Sequence, residues 1–370
     1  MSQSLRGQKS RVIRVLIADD SLFMRHTLRR ALGGHTGIQV VGEARDGLEA
    51  LEKNAELNPD VVVMDVEMPR MDGLEALAKI MSDRPVPVIM FSSLTQRGAQ
   101  VTFEALSLGA VDFMAKPQSG VTFNDVVQEL ARKVTAAASA KLRVRRRQAG
   151  LRSKQVNRRR SPDLQSAPAG FREAKSMVVI GTSTGGPQAL DDVIPGLPAD
   201  LESCVVVCQH MPAGFTASLA KRLAAMSRLP VREASTGEAI PAGTVLVAPG
   251  GQHLRVLPRS RGQSARFETD DGPPVHGVKP AVDVTLFDAA AAFGDKLMVV
   301  IMTGMGFDGA KGARAAKSLG AKVIAQDENT SVVWGMPRAC YELGICNEVL
   351  PLSKIAGEIA KFSRDVRERE

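Results

Sequence analysis

Short apolar runs alternate with longer amphipathic stretches along most of the chain. Between residues 12 and 138 the runs are RVLIA, IQVVGEA, PDVVVMD, VPVIMFS and VDFMAKP. Apolar positions at helical spacing follow each run, and the last helix is predicted from about Phe123 to Ala138. Five strands that alternate with five helices in about 125 residues indicate a parallel sheet with helices on both faces.

A second alternating region covers residues 173 to about 362. Its strand-like runs are SMVVI, SCVVVC, GTVLVAP, KLMVVI and AKVIAQ, and a strand pair is predicted at HLRVLP and ARFET. Helices are predicted after Pro187, over FTASLAKRLAAM, VDVTLFDAAAAF and GFDGAKGARAAKSLG, and from Leu352 onwards. This pattern predicts a second doubly wound α/β domain.

The apolar periodicity disappears between the two regions, where Ser, Gln, Pro, Ala and Arg dominate. We therefore predict an N-terminal tail (1–11), a first domain (12–137), a flexible Arg-rich linker (138–172) and a second domain (173–366). The net charge is +8, but residues 141 to 163 contain ten Lys or Arg and only one Asp. The basic character therefore belongs to the linker and not to a folded surface.

Composition points to a soluble protein of the cytoplasm. Hydrophobic residues make up 44% and charged residues 24%, and no apolar run approaches the roughly 18 residues that span a bilayer. The N-terminal stretch lacks a small-residue cleavage site, so a signal peptide is not expected. Four cysteines lack metal-ligand spacing and are predicted to be free thiols: Cys204, Cys208, Cys340 and Cys346.

Acidic residues stand at the predicted carboxyl ends of strands in the first domain. Asp19 and Asp20 follow the first strand and Asp65 the third, while Ser92 ends the fourth and Lys116 the fifth. An Asp after a strand often only caps the next helix, but five polar residues at matching strand ends need another explanation. Clustered carboxylates favour Mg²⁺, and a nearby hydroxyl and ammonium suit an incoming phosphoryl group.

The motifs IADDS, MDVEMPRMDG and DFMAKP, with the SS after VPVIMF, resemble the receiver domain of response regulators. The resemblance covers residues 12 to about 135 and implies a flavodoxin-like, five-stranded parallel sheet. It implies phosphorylation of Asp65, with Mg²⁺ held by Asp19, Asp20, Asp65 and the backbone of Glu67. It further assigns switch roles to Ser92, Phe113 and Lys116.

Three motifs in the second domain also follow predicted strands: GTSTGG around Ser183, QHMP around His210 and MTGMGFDG around Asp308. Taken alone, the Gly-rich loop at Ser183 fits a nucleophile turn and a phosphate-binding loop about equally well. His210 and Asp308 at the same predicted sheet edge favour a Ser-His-Asp triad for acyl transfer. Ser183 is then the nucleophile, His210 the general base and Asp308 the group that orients the imidazole.

The second domain resembles the catalytic domain of the chemotaxis protein-glutamate methylesterases. The matching segments include IGTSTGGPQAL, QHMPAGFTASLAKRL, KPAVDVTLFDAAA, MTGMGFDGAKG and AQDENTSVVWGMPRAC. The resemblance implies that Ser183, His210 and Asp308 form the triad and that the backbone of Met305 binds the oxyanion, without a cofactor. It implies hydrolysis of γ-glutamyl methyl esters and deamidation of glutamines on methyl-accepting chemoreceptors.

The same resemblance implies a chemotaxis histidine kinase as phosphodonor, no nucleic-acid partner, and proximity to the membrane only through receptors. We hypothesise that the receiver covers the catalytic crevice until Asp65 is phosphorylated. The Arg-rich linker is either attracted to anionic surfaces or is a solvated spacer. Two alternative functions are a DNA-binding response regulator and a phosphorylation-gated binding module without hydrolase activity.

Overall fold

The first domain is a five-stranded parallel sheet in the order β2-β1-β3-β4-β5. Its strands are β1 (Ile13–Ala18), β2 (Ile38–Ala44), β3 (Val61–Asp65), β4 (Val88–Ser92) and β5 (Asp112–Ala115). Its helices are α1 (Leu22–Gly33), α2 (Gly47–Leu57), α3 (Gly73–Asp83), α4 (Gln96–Leu108) and α5 (Phe123–Ala138). The predicted flavodoxin-like receiver fold is confirmed.

The computed structural model describes residues 12–92, 96–116, 123–140, 172–258 and 264–369. The predicted N-terminal tail and nearly all of the predicted linker lie outside these ranges. α5 ends at Ala138 and the final helix continues to Glu368. Among the helices described, none has the length and apolarity to cross a bilayer.

Local chemistry explains where the receiver elements begin and end. β3 and β4 are buried along their whole length, as expected for apolar strands covered on both faces. Asp46 and Asp72 precede α2 and α3, and their side chains accept hydrogen bonds from the N–H groups of Glu49 and Glu75. These N-caps satisfy helix donors that have no partner within the helix.

The second domain contains a seven-stranded sheet in the order β14-β13-β12-β6-β7-β9-β8, in which every neighbouring pair is parallel. Its strands are β6 (Met177–Thr182), β7 (Cys204–Gln209), β8 (Val231–Glu233), β9 (Val245–Val247), β12 (Leu297–Ile301), β13 (Lys322–Gln326) and β14 (Glu348–Leu350). A separate antiparallel pair consists of β10 (His253–Leu257) and β11 (Arg266–Asp270). The predicted doubly wound architecture is confirmed.

In the described part of this domain, six α-helices accompany the sheet: α6 (Gly186–Val193), α7 (Phe215–Met226), α8 (Val282–Phe293), α9 (Ala310–Ser318), α10 (Met336–Glu342) and α11 (Leu352–Glu368). The sequence pattern did not predict β8, β14 or α10. β8 and β14 have three residues each and lie at the sheet edges, so their half-buried positions carry no continuous apolar run. α10 has seven residues, too few to show helical periodicity.

The strand order reverses at β6, which places the functional loops together. β7 pairs with β6 on one side and β12 pairs with it on the other. The carboxyl ends of parallel strands on either side of such a reversal border one crevice. The turn after β6, the loop after β7 and the loop after β12 therefore meet at one edge of the sheet.

The two domains are in contact in this structure. The ring of Phe113 in β5 stacks on that of Phe215 in α7, with centroids 4.7 Å apart. Gln188 in α6 donates to the carbonyl of Ala110 at 2.8 Å. Both phenylalanines belong to one apolar cluster that includes residues of both domains. The contact therefore combines apolar packing with hydrogen bonds between side chain and backbone.

The four cysteines are free, as predicted. Cys204 and Cys208 are buried in β7, and burial raises the pKa of both thiols, that of Cys208 to about 12. Since the thiolate is the reactive form, these buried thiols are poor nucleophiles.

Neighbouring positions in α8 test which face of this helix stabilises the catalytic domain. Leu286 is fully buried, whereas Phe287 is 48% exposed. Leu286→Ala is expected to lower the free energy of unfolding by about 2–5 kcal/mol because it leaves a cavity. Phe287→Ala, the matched control, is expected to change it by less than about 1 kcal/mol. Urea denaturation measures both, and equal effects would contradict the packing described.

Candidate functional site

Ser183 follows β6 in a tight turn that leads into α6. Its N–H donates to the carbonyl of Thr303 at 3.0 Å, which ties the turn to the end of β12. Gly304 is needed because a Cβ there would lie 3.0 Å from Ser183 Cβ. Gly185 has φ +76°, a left-handed conformation that favours glycine, and a Cβ there would lie 2.6 Å from Val332 Cβ.

His210 and Asp308 form a hydrogen-bonded pair. His210 Nε2 lies 2.7 Å from Asp308 Oδ2, although the two residues are 98 positions apart. Asp308 also accepts from the backbone N–H groups of Val282 at 2.7 Å and Asp283 at 3.0 Å, at the start of α8. The N–H of Gly309 is a further donor at 2.9 Å. The buried carboxylate is thus surrounded by donors at a helix N-terminus, which favours negative charge.

These donors keep Asp308 ionised. Burial by itself would raise its pKa, but the hydrogen bond and charge of His210 and the two N–H groups of α8 outweigh burial, so the pKa is lowered. An ionised carboxylate only accepts hydrogen bonds, so His210 Nε2 must be the donor. Nδ1 is then the imidazole nitrogen that can take up a proton.

Ser183, His210 and Asp308 line one cavity of about 440 Å³, together with Met305. Within the described ranges, no direct hydrogen bond joins Ser183 Oγ to His210, a separation common in sites without substrate. The N–H of Met305 also has no acceptor among the described residues, so it remains available to a ligand in the cavity. The structure therefore brings the four predicted residues to one place and pairs two of them directly.

The receiver's acidic residues converge at the carboxyl edge of its sheet. Carboxylate oxygens of Asp19, Asp20 and Asp65 all lie within 4.8 Å of one another. Lys116 Nζ lies 2.7 Å from Asp65 Oδ2 and 3.4 Å from Asp19 Oδ2. The predicted acidic cluster and its lysine are thus side by side.

This cluster has the chemistry of a divalent-cation site. Burial raises the pKa of Asp65 to about 6, although Lys116 opposes the increase, and burial also raises that of Asp19. Asp19 Oδ2 is buried and accepts no hydrogen bond in the described structure. Carboxylates held close together, one of them with an oxygen that accepts no hydrogen bond and has only the Lys116 ammonium nearby, fit a hard cation such as Mg²⁺.

Two of the predicted switch residues, Ser92 and Phe113, are buried, and Phe113 contacts the other domain. Ser92 ends β4 and is buried, and its Oγ donates to the carbonyl of Gly98 at 3.3 Å. Phe113 is buried against Phe215 of the catalytic domain. Glu67 is exposed, and its backbone forms a hydrogen bond with the carboxyl of Asp65.

Several residues near the triad were not found from the sequence. Asp112 of β5 accepts a hydrogen bond from Thr184 Oγ1, directly after the nucleophile, and pairs with Lys133 Nζ at 3.0 Å. His276 Nε2 lies 2.8 Å from Asp283 Oδ2 beside the triad. No local pattern could reveal these pairs, because their partners come from separate elements.

Comparison with known proteins agrees with this two-part arrangement. The profile of the response regulator receiver domain matches residues 15–128, and that of the CheB methylesterase family matches residues 178–359. A protein-glutamate methylesterase/protein-glutamine glutaminase of Symbiobacterium thermophilum is 49% identical over 361 residues, covering 95% of this chain and 97% of the relative. A protein of the same name from Archaeoglobus fulgidus is 45% identical over 351 residues, covering 95% and 98%.

Among solved structures, the CheB methylesterase catalytic domain of Thermotoga maritima is 46% identical, with a TM-score of 0.49. That match covers 50% of this chain and 97% of the other.

The raised pKa of Asp65 predicts how the receiver's stability depends on pH. A carboxyl with a higher pKa in the folded state loses stability as pH rises from about 4 to about 6. We compare the unfolding free energy of Asp65→Asn with that of the parent in metal-free buffer. The difference, variant minus parent, should rise by about 2 kcal/mol between pH 4 and pH 7. Denaturant titrations at each pH measure the difference. The exposed control Asp83→Asn should show a change below about 0.5 kcal/mol, and equal behaviour would refute the prediction.

Proposed function

The chain belongs to the CheB methylesterase family, and from that premise we propose that it is a phosphorylation-activated serine hydrolase acting on methyl-accepting chemoreceptors. Its enzyme class is that of a protein-glutamate methylesterase and protein-glutamine glutaminase. The observation that carries the catalytic proposal is the His210–Asp308 pair at 2.7 Å in the cavity that also contains Ser183.

The first half of the reaction forms an acyl enzyme. Ser183 Oγ attacks the γ-carbonyl carbon of a glutamyl methyl ester or a glutamine side chain, and His210 accepts the serine proton at Nδ1. Asp308 stabilises the imidazolium and holds the ring in the required tautomer. The developing oxyanion receives a hydrogen bond from the N–H of Met305.

The second half releases the product. His210 returns its proton to the leaving group, so methanol departs from an ester and ammonia from an amide. Water then attacks the acyl-serine with His210 again as general base, which leaves a glutamate carboxylate and regenerates Ser183. One site thus performs both reactions, and the hydrolase chemistry requires no cofactor.

The receiver supplies control through phosphorylation of Asp65. Asp19, Asp20, Asp65 and the backbone of Glu67 would hold Mg²⁺, which supplies positive charge against the incoming phosphoryl group. Lys116 contributes a second positive charge beside Asp65. The hydroxyl of the buried Ser92 would form a hydrogen bond with the new phosphoryl oxygens. The phosphodonor is proposed to be a chemotaxis histidine kinase.

Gating is supported by the shared walls of the catalytic cavity. Phe113, Arg132 and Lys133 of the receiver line it together with Ser183 and His210. A receptor segment reaches Ser183 only when this receiver wall moves away. Phosphorylation then favours the open arrangement by repacking Ser92 and Phe113, a population shift between two states.

We further propose a cytoplasmic enzyme that approaches the membrane only through its receptors. The Arg-rich linker, which lies outside the described residues, either contacts anionic surfaces or serves as a spacer. The second domain matches a methylesterase family throughout residues 178–359, so the DNA-binding and catalytically inactive alternatives are not retained.

Replacing the nucleophile tests the catalytic assignment. Ser183→Ala removes the attacking oxygen, so release of methanol from methylated receptor membranes should fall by about 10³-fold or more. Labelling by a fluorophosphonate should disappear at the same time. Gas chromatography of methanol and gel fluorescence measure the two effects. Retained labelling in the variant would show that another residue is the nucleophile.

Loosening the domain contact tests the gating. Gln188 Nε2 donates across the interface to the carbonyls of Ala110 and Leu106. Gln188→Ala should therefore raise the unstimulated rate of methyl-ester hydrolysis several-fold and reduce the stimulation by acetyl phosphate. Asp65→Asn should keep the parent's basal rate and lose the stimulation.

The control for this gating experiment is Gln39→Ala. Gln39 is exposed in β2, and β2 and β5 are the two opposite edge strands of the receiver sheet. This variant should match the parent with and without the phosphodonor. An unchanged basal rate in Gln188→Ala would count against gating by this contact.

A further inference from the structure

A buried amide connects the backbone of the nucleophile to that of the general base. Gln209 is the last residue of β7 and is only 2% exposed. Its Nε2 donates to the carbonyl oxygen of Ser183 and to that of His210, each at 3.1 Å. Among the described residues, no other side chain forms hydrogen bonds with the backbone of both.

Backbone hydrogen bonds and close packing also restrain the turn that carries Ser183 and the loop that carries His210. The backbone carbonyl of Ser183 also accepts from the N–H of Gly186 at 2.8 Å, and the N–H of His210 donates to the carbonyl of Thr182 at 3.1 Å. A Cβ at Gly186 would lie 2.1 Å from Gln209 Oε1. The start of α6 is thus closely packed against the amide group.

Fold stability alone does not explain an amide side chain at position 209. Its Oε1 is buried and has no hydrogen-bond partner in the described structure. An unsatisfied buried acceptor destabilises the folded state, a penalty that an apolar side chain of similar length would avoid. The two donated hydrogen bonds, both directed at catalytic loops, are the feature that an apolar side chain would lose.

We propose that Gln209 is a positioning residue that sets the distance between Ser183 Oγ and His210 without touching the substrate. The inference rests on the proposed triad. Ser183 Oγ and His210 share no direct hydrogen bond in the described structure, so their separation depends on the backbones that carry them. Small displacements of reacting groups reduce rates strongly, by about 10²-fold for 1 Å.

The main test replaces the amide by a group of similar length without donors. With the full chain activated by acetyl phosphate, Gln209→Met should lower kcat for methyl-ester hydrolysis by about 10- to 100-fold and leave KM within about 2-fold. The rate of Ser183 labelling by a fluorophosphonate should fall in parallel. Parent-like kcat and labelling in this variant would overturn the proposal.

A matched control separates positioning from stability. Ser203 is fully buried directly before β7, at the end of this strand that lies away from the triad, and its Oγ lies 2.7 Å from Ser176 Oγ. Ser203→Ala should lower the melting temperature, because it removes a buried hydrogen bond, but should change kcat by less than about 3-fold. Equal losses of kcat in both variants would show that Gln209 has only a structural role.

A second variant provides a readout that a structural role would not produce. In Gln209→Glu, a protonated carboxyl can still donate to one carbonyl, whereas an ionised one repels both. The ratio of variant to parent activity, measured where both proteins remain folded, should therefore fall as pH rises. A constant ratio would contradict the proposal. If the parent itself neither labels nor hydrolyses, the proposed function fails instead.

Discussion

The catalytic domain depends on how it keeps one buried carboxylate charged. Asp308 is 2% exposed, and such a charge is tolerated only when donors surround it. Its four donors come from three places: the imidazole after β7, the first N–H groups of α8 and the N–H of the adjacent Gly309. The carboxylate therefore fixes the loop after β12, the start of α8 and the orientation of His210 in a single interaction.

The same edge of the sheet carries a second imidazole–carboxylate pair, His276 and Asp283. Asp283 lies in the first turn of α8 and also accepts from the N–H of Gly312 in α9 at 2.7 Å. Burial raises its pKa, and the negative charge of Asp308 acts in the same direction, while the N–H of Gly312 and His276 oppose the rise. Each carboxyl in this pocket thus has its own histidine and its own helix N–H donors, which oppose the effect of burial on its pKa.

The receiver and the catalytic domain meet beside the turn that carries Ser183. Asp112 lies directly before Phe113, and Thr184 lies directly after Ser183, so the hydrogen bond between Asp112 and Thr184 joins the neighbours of the predicted switch residue and of the proposed nucleophile. Lys133 pairs with Asp112 and lies 5.8 Å from the ring centroid of Phe113. A short, largely buried contact therefore links β5 to the turn that carries Ser183.

The sequence by itself determined both sheets, most of their elements and the residues that could carry the chemistry. Apolar runs of four to seven residues mark buried strands strongly, and residues directly after parallel strands must gather at one edge. This argument placed Asp19 and Asp65 together in one domain, and Ser183, His210 and Asp308 in the other. It failed for β8, β14 and α10, because a three-residue edge strand and a seven-residue helix show no periodicity.

Only the tertiary structure decided which atoms meet across that edge. The bonds of Asp308 to His210 and to the start of α8, the bond from Thr184 to Asp112 and the bond from Gln209 to Ser183 join elements that are distant in sequence or belong to different domains. Hydrogen bonds form or fail over a few tenths of an ångström, whereas a hydrophobic pattern locates a residue only to a strand end. The pattern therefore predicts the site, and packing between elements sets its geometry.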